Sequence, residues 1–124
     1  MSITYFVPGT KPECRVLIGL SAVIVELAGG NPHTEYDLGS FTSEAIETAA
    51  DKLENLPQVS LFLPGKGLIY FEGTAQVRGN GQAIYFLGPS SSFEDAKAYL
   101  QVKASKLRKV AAEARAADSL VSYG

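Results

Sequence analysis

Two residues in this chain could carry nucleophilic chemistry: its single cysteine, Cys14, and its single histidine, His33. A thiol needs a base beside it to become a good nucleophile, and histidine titrates in the right range to serve. The two are separated by a segment that reads as a strand, and His33 sits between Pro32 and Thr34 in a turn. Nothing in that spacing demands contact. Cys14 therefore reads as a tolerated or buried thiol, and His33 as a solvated loop residue. One Cys and one His cannot complete a zinc set, and no acidic loop has calcium-binding spacing.

Glu44, Glu47, Asp51 and Glu54 recur at three- and four-residue intervals. On a helix that spacing can bring carboxylates together, as glycosidases and divalent-metal enzymes require. It is equally the spacing of the polar side of an amphipathic helix, and a solvated face is the expected reading. Two glycine-rich turns, Pro64-Gly65-Lys66-Gly67 and Arg78-Gly79-Asn80-Gly81, invite comparison with phosphate loops. A phosphate cradle needs a helix N-terminus converging on the anion, whereas each of these joins two strands. Both read as hairpin turns. The chain is expected to hold no catalytic residues, no metal ligands and no cofactor, so an enzyme is the less favoured class.

The elements that would position any site follow from periodicity. Ile3 to Val7 reads as a strand closed by Pro8-Gly9. Thr10-Lys11-Pro12-Glu13 has the spacing of a capping box, which would open a helix. The following Val16, Leu17, Ile18, Val23, Ile24 and Val25 are largely β-branched, so Arg15 to Leu27 is expected to be a strand covered on both faces. Thr34 to Gly39 makes a return strand. The clearest helix spans 43–56, with Thr42 as its cap, a Phe41–Ile46 staple and Pro57 as its stop. Its apolar face is Ile46, Ala49, Ala50, Leu53 and Leu56.

Val59 to Gly88 reads as a three-stranded meander with glycine at both turns. In its middle strand Tyr70, Glu72 and Gln76 alternate with apolar residues and mark a wetter face. The last helix, 92–118, opens on Ser91-Ser92-Phe93-Glu94-Asp95, whose acids suit the positive end of the helix dipole. Phe93, Ala96, Leu100, Leu107, Val110, Ala114 and Ala117 form its apolar seam, interrupted by Lys103. At roughly 27 residues it would be about 40 Å long, against a diameter of about 35 Å for a domain of this size. The expectation is a single α+β domain, 1–124, with a mostly antiparallel sheet of about five to six strands and two helices. The C-terminal helix is expected to extend beyond the globular body. Tyr36-Asp37-Leu38-Gly39 and Tyr85-Phe86-Leu87-Gly88, each followed by serines, a phenylalanine and an acid–alanine pair, suggest a duplicated strand–strand–helix unit.

Composition narrows the classes. The chain is 46% hydrophobic and 19% charged with a net charge of −2, an ordinary globular balance without strong overall attraction to polyanions. Charge is segregated, however. Seven acids and one base lie between Glu26 and Glu54, and five bases and no acid between Lys97 and Lys109. Plain solvation of two exposed helices is the expected use of that segregation, with head-to-tail association as the alternative. A lone cysteine suits a reducing compartment, Met1 leads into Ile3 to Val7 with no basic n-region so no secretory signal is expected, and no apolar run is long enough to span a bilayer. A soluble, cytoplasmic protein is expected.

From Thr42 to Asp118 the order helix, three-strand meander, helix is similar to that of a double-stranded-RNA-binding domain. That resemblance would imply nucleic-acid binding through the basic last helix, at Lys103, Lys106 and Lys109. The family's lysine-rich cluster at the start of that helix is replaced here by Ser91-Ser92-Phe93-Glu94-Asp95. The leading expectation is a non-enzymatic protein–protein interaction module, of a size and style that suit a small bacterial or phage-encoded regulator or inhibitor. Its binding residues are expected to be Tyr70, Glu72 and Gln76 on the sheet and Lys103, Lys106 and Lys109 on the helix. A homodimer through the alanine-rich C-terminal helix is expected, with a partner protein of unknown identity. The alternatives are a small-molecule binder or enzyme using the sheet–helix cleft, and a nucleic-acid binder.

Overall fold

The computed structural model describes residues 2–32, 34–55, 61–63, 67–72, 83–88 and 93–124. Ten elements follow one another: β1 (Ser2–Phe6), β2 (Glu13–Leu17), α1 (Ile18–Leu27), β3 (Gly39–Phe41), α2 (Ser43–Glu54), β4 (Leu61–Leu63), β5 (Gly67–Glu72), β6 (Ala83–Gly88), α3 (Phe93–Ala116) and β7 (Val121–Tyr123). The class is α+β, as the sequence predicts. The count is not, since among the described residues two antiparallel sheets and three helices replace one larger sheet and two helices.

The four-stranded sheet has the order β2-β1-β7-β3, and the meander β4-β5-β6 forms a second sheet of its own. In the first, Ile3, Tyr5 and Val7 alternate with half-exposed neighbours, as do Cys14 and Val16, then Val121 and Tyr123. One face is therefore packed on the core and the other faces outward. Tyr5 lies opposite both Cys14 and Tyr123, and Tyr123 lies opposite Gly39. The rings of Tyr5, Tyr123 and Phe41 stack across the three strands, with centroids 4.8 and 5.6 Å apart. Gly39 makes room for this stack: a Cβ there would stand 2.6 Å from the Tyr123 hydroxyl, which donates to the Glu35 carbonyl at 2.7 Å.

The main correction falls on 15–27. Only its first residues are strand; from Ile18 the chain turns into α1. Residues Leu20 to Val25 are all buried, and α1 packs against β1, β2, α2 and β6. A helix enclosed on every side shows no amphipathic period, so its apolar run looks like that of a buried strand. The stop was legible: Gly29, at φ +95°, allows its N–H to reach the Glu26 carbonyl and that of Gly30 to reach Val25, a Schellman ending. The capping-box reading of Thr10 also gives way, because its hydroxyl closes a turn onto the Val7 carbonyl. Thr34 to Leu38 is turn rather than strand. With a helix in place of the first hairpin, the two halves share only a strand leading into a helix, β3–α2 and β6–α3, and the strand–strand–helix duplication is not reproduced.

Thr42 caps α2 as expected, its hydroxyl accepting from the Ala45 amide at 3.1 Å, and Ile46, Ala49, Ala50 and Leu53 are buried. Leu56 and Pro57 lie outside the described residues, as do the capping serines and both meander turns. α3 runs for 24 residues, about 36 Å. Leu100, Ala104, Leu107, Val110, Ala111 and Ala114 carry its buried seam against α2, β2, β1 and β7. It ends in a second Schellman turn, with Asp118 at φ 49° and the Ser119 amide bonded to the Ala114 carbonyl. The chain then re-enters the first sheet as β7, a strand not foreseen in the sequence. No helix among the described residues is long and apolar enough to cross a membrane.

Candidate interaction surface

The chain's one thiol is turned inward. Cys14 is fully buried, and its thiol donates to the Lys103 carbonyl at 3.7 Å. Burial pushes the thiol up to about 11, against a smaller opposing pull from Lys103 and Lys106. A thiol so protonated at neutral pH is a poor nucleophile. His33 lies outside the described residues. Among the described residues no three His, Cys, Asp or Glu side chains gather into a metal site. Another buried polar group, Ser21, donates to the Tyr36 carbonyl at 2.5 Å and so accepts from the Tyr5 hydroxyl at 2.9 Å. That chain of bonds ties α1 to β1 and to the loop before β3, and burial raises the Tyr5 ionisation well above its ordinary range.

The segregated charges meet across α2 and α3. Arg108 donates to Asp51 at 2.8 Å and to Glu54 at 2.5 Å, and Arg115 donates to Glu47 at 3.0 Å. Three of the four acids read as a solvated face are thus ion-pair partners of the C-terminal helix. The acidic and basic segments attract within one chain, and the Arg108 ionisation rises because of its bonds to Asp51 and Glu54.

The opposite flank of α3 is built differently. Lys103 lays its ammonium 2.6 Å from the Arg15 carbonyl and 5.4 Å from the centre of the Tyr99 ring. This explains how a lysine can interrupt the apolar seam: its stem runs along the body and its head reaches the sheet edge. Lys106 and Lys109 are exposed and meet no acid among the described residues. The expected site therefore divides. Lys103 is a structural cap, whereas Lys106 and Lys109 are available. Tyr70 and Glu72 lie on β5, opposite Tyr85 and Ala83, and Gln76 lies outside the described residues.

Three exposed large apolar side chains stand out among the described residues: Leu38 at 73%, Val102 at 53% and Leu120 at 49%. Val102, Lys109, Ala112 and Ala116 follow at helical spacing along the outward crest of α3, and all four are exposed. Sequence reasoning missed Val102 because it weighed the helix by its buried seam and its charges. The signal was an apolar residue on the polar side at helical spacing from the surplus alanines. Leu38 and Leu120 immediately precede β3 and β7, which pair with each other at one edge of the sheet. No family model matches this chain, and neither a curated protein nor a solved structure is recognisably similar to it.

Proposed function

We propose that the protein is a non-enzymatic protein–protein interaction module, a regulator or inhibitor by mode of action, and that it forms a homodimer through α3. The observation that carries the reading is the outward crest of α3. Val102 is half exposed there, in line with Ala112 and Ala116, while Ala111 and Ala114 are already committed to the core. Small side chains on a crest let a second helix approach closely, and Lys106 and Lys109 beside them supply charge for orientation. The withdrawal of Cys14 into the core supports binding over covalent chemistry. Tyr70, Glu72 and Gln76 are proposed as a second contact region, because tyrosine combines large contact area with a polar tip.

The test is light scattering of the full chain beside Val102→Asp, together with capture of partners from the native host on both baits. A dimer that dissociates in Val102→Asp, and a specific captured protein that is lost with it, support the reading. A wild type that is monomeric and captures the same proteins as the variant sinks it.

A further inference from the structure

The other sheet edge, β2, is longer than β3 and carries a self-complementary pattern. Thr4 exchanges both of its backbone bonds with Gly124, at 3.0 and 3.1 Å. Arg15, which lies opposite Thr4 on the other side, must therefore turn its own N–H and carbonyl away from β1. By the same alternation Glu13 points its backbone groups outward too. Among the described residues the Lys103 ammonium on the Arg15 carbonyl is the one bond on this edge. The side chains of Glu13 and Arg15 are both exposed, and neither has an ion partner among the described residues.

An edge of this kind is a template for another strand, and its charges select both the occupant and the register. Three antiparallel registers would bring outward-pointing pairs together at the centre of β2. One sets Glu13 against Glu13 of a second copy, and another sets Arg15 against Arg15. Like charges directly opposite are unfavourable. The third, centred on Cys14, sets Glu13 against Arg15 twice and closes two pairs of backbone bonds. We infer that the open edge of β2 docks a second copy of this chain, strand to strand and centred on Cys14, with Glu13 of each copy opposite Arg15 of the other.

This rests on the homodimer reading above and sets the contact at the sheet edge, beside the Lys103 flank of α3 rather than at its outward crest. The two-fold axis runs through the sheet beside Cys14 and joins the two four-stranded sheets into one. Because α3 packs on β2, the same axis places the two α3 helices on one face of the joined sheet, with their Lys103 flanks toward each other. Lys103 then opposes assembly twice: it must release the Arg15 carbonyl, and it faces its own copy across the axis. Its charge sets how readily the edge opens.

Sedimentation equilibrium on the full chain tests this, with thermal melting as a check that each variant folds. Arg15→Glu turns both cross-strand pairs repulsive and should weaken the dimer by about tenfold or more. Adding Glu13→Arg to that variant should restore it. Lys103→Gln, which shortens the side chain and removes the charge, should tighten it. A dimer indifferent to Arg15→Glu overturns the inference, and so does a monomer in both wild type and Lys103→Gln. A dimer lost in Val102→Asp but untouched by Arg15→Glu overturns only the edge, leaving the α3 reading in place.

Discussion

The two flanks of α3 carry the same kind of residue and use it in opposite ways. Toward α2, Arg108 and Arg115 are matched by Glu47, Asp51 and Glu54. Toward β2, Lys103 meets a backbone carbonyl and an aromatic ring, and Lys106 meets no acid among the described residues. Arginine suits the first arrangement, since its fork can hold two carboxylates at once. Lysine suits the second, where one compact head must reach one oxygen at the end of a flexible stem. The lesson is that a run of basic residues is not one feature. Its members divide according to which neighbour the helix turns them toward.

Both flanks can be disturbed from beneath. Leu107 is fully buried under the helix that carries both flanks. Leu107→Ala should cost about 3 kcal/mol, read as a lower midpoint in urea, and should loosen both flanks together. An unchanged midpoint would mean that the flanks, not the seam, hold α3 in place.

High pH should separate the flanks. The Cys14 thiol is raised from 9.0 to about 11 in the folded chain. The native state therefore keeps a proton that the unfolded state gives up, and stability falls as pH rises through that window. The slope is about 1.4 kcal/mol per pH unit for this group. Cys14→Val should flatten that part of the profile, while Arg108→Ala should leave it alone. Identical profiles for wild type and Cys14→Val would remove the thiol from the account.

Smaller effects follow on the flanks themselves. Lys103→Met should cost about 1 kcal/mol, because the Arg15 carbonyl loses a charged donor. That loss should persist in high salt, since the bond is short and sits against the body. Arg108→Ala should cost about 0.5–1 kcal/mol at low salt and less at high salt, as exposed ion pairs do. Lys109→Ala should change stability by less than about 0.5 kcal/mol. If Lys103→Met proved as salt-sensitive as Arg108→Ala, the two flanks would be electrostatically alike.

Much of this fold was legible wherever one side of an element is wet. α2 was read from Thr42 and the spacing of Ile46, Ala49, Ala50 and Leu53, and the seam of α3 from Leu100, Leu107, Val110 and Ala114. α1 was not, because burial on every side removes the period that distinguishes a helix from a strand. β7 was missed for a different reason. Three residues are too few to show alternation, and Val121 and Tyr123 become strand only by lying between β1 and β3. The charges of the candidate surface were visible as segregated blocks. Their pairing was not, since nothing local says that Arg108 faces Asp51 while Lys103 faces a carbonyl.

The place of β7 has a consequence for how the protein is made. Its neighbours in the sheet are β1, from the opposite end of the described chain, and β3. Until Val121 to Tyr123 have left the ribosome, β1 and β3 have no strand between them, and Tyr5 lacks the ring that stacks on it. Closing so distant a pairing is slow compared with forming helices. During synthesis β3 therefore has no strand to pair with, and β7 is the piece that brings it into the first sheet.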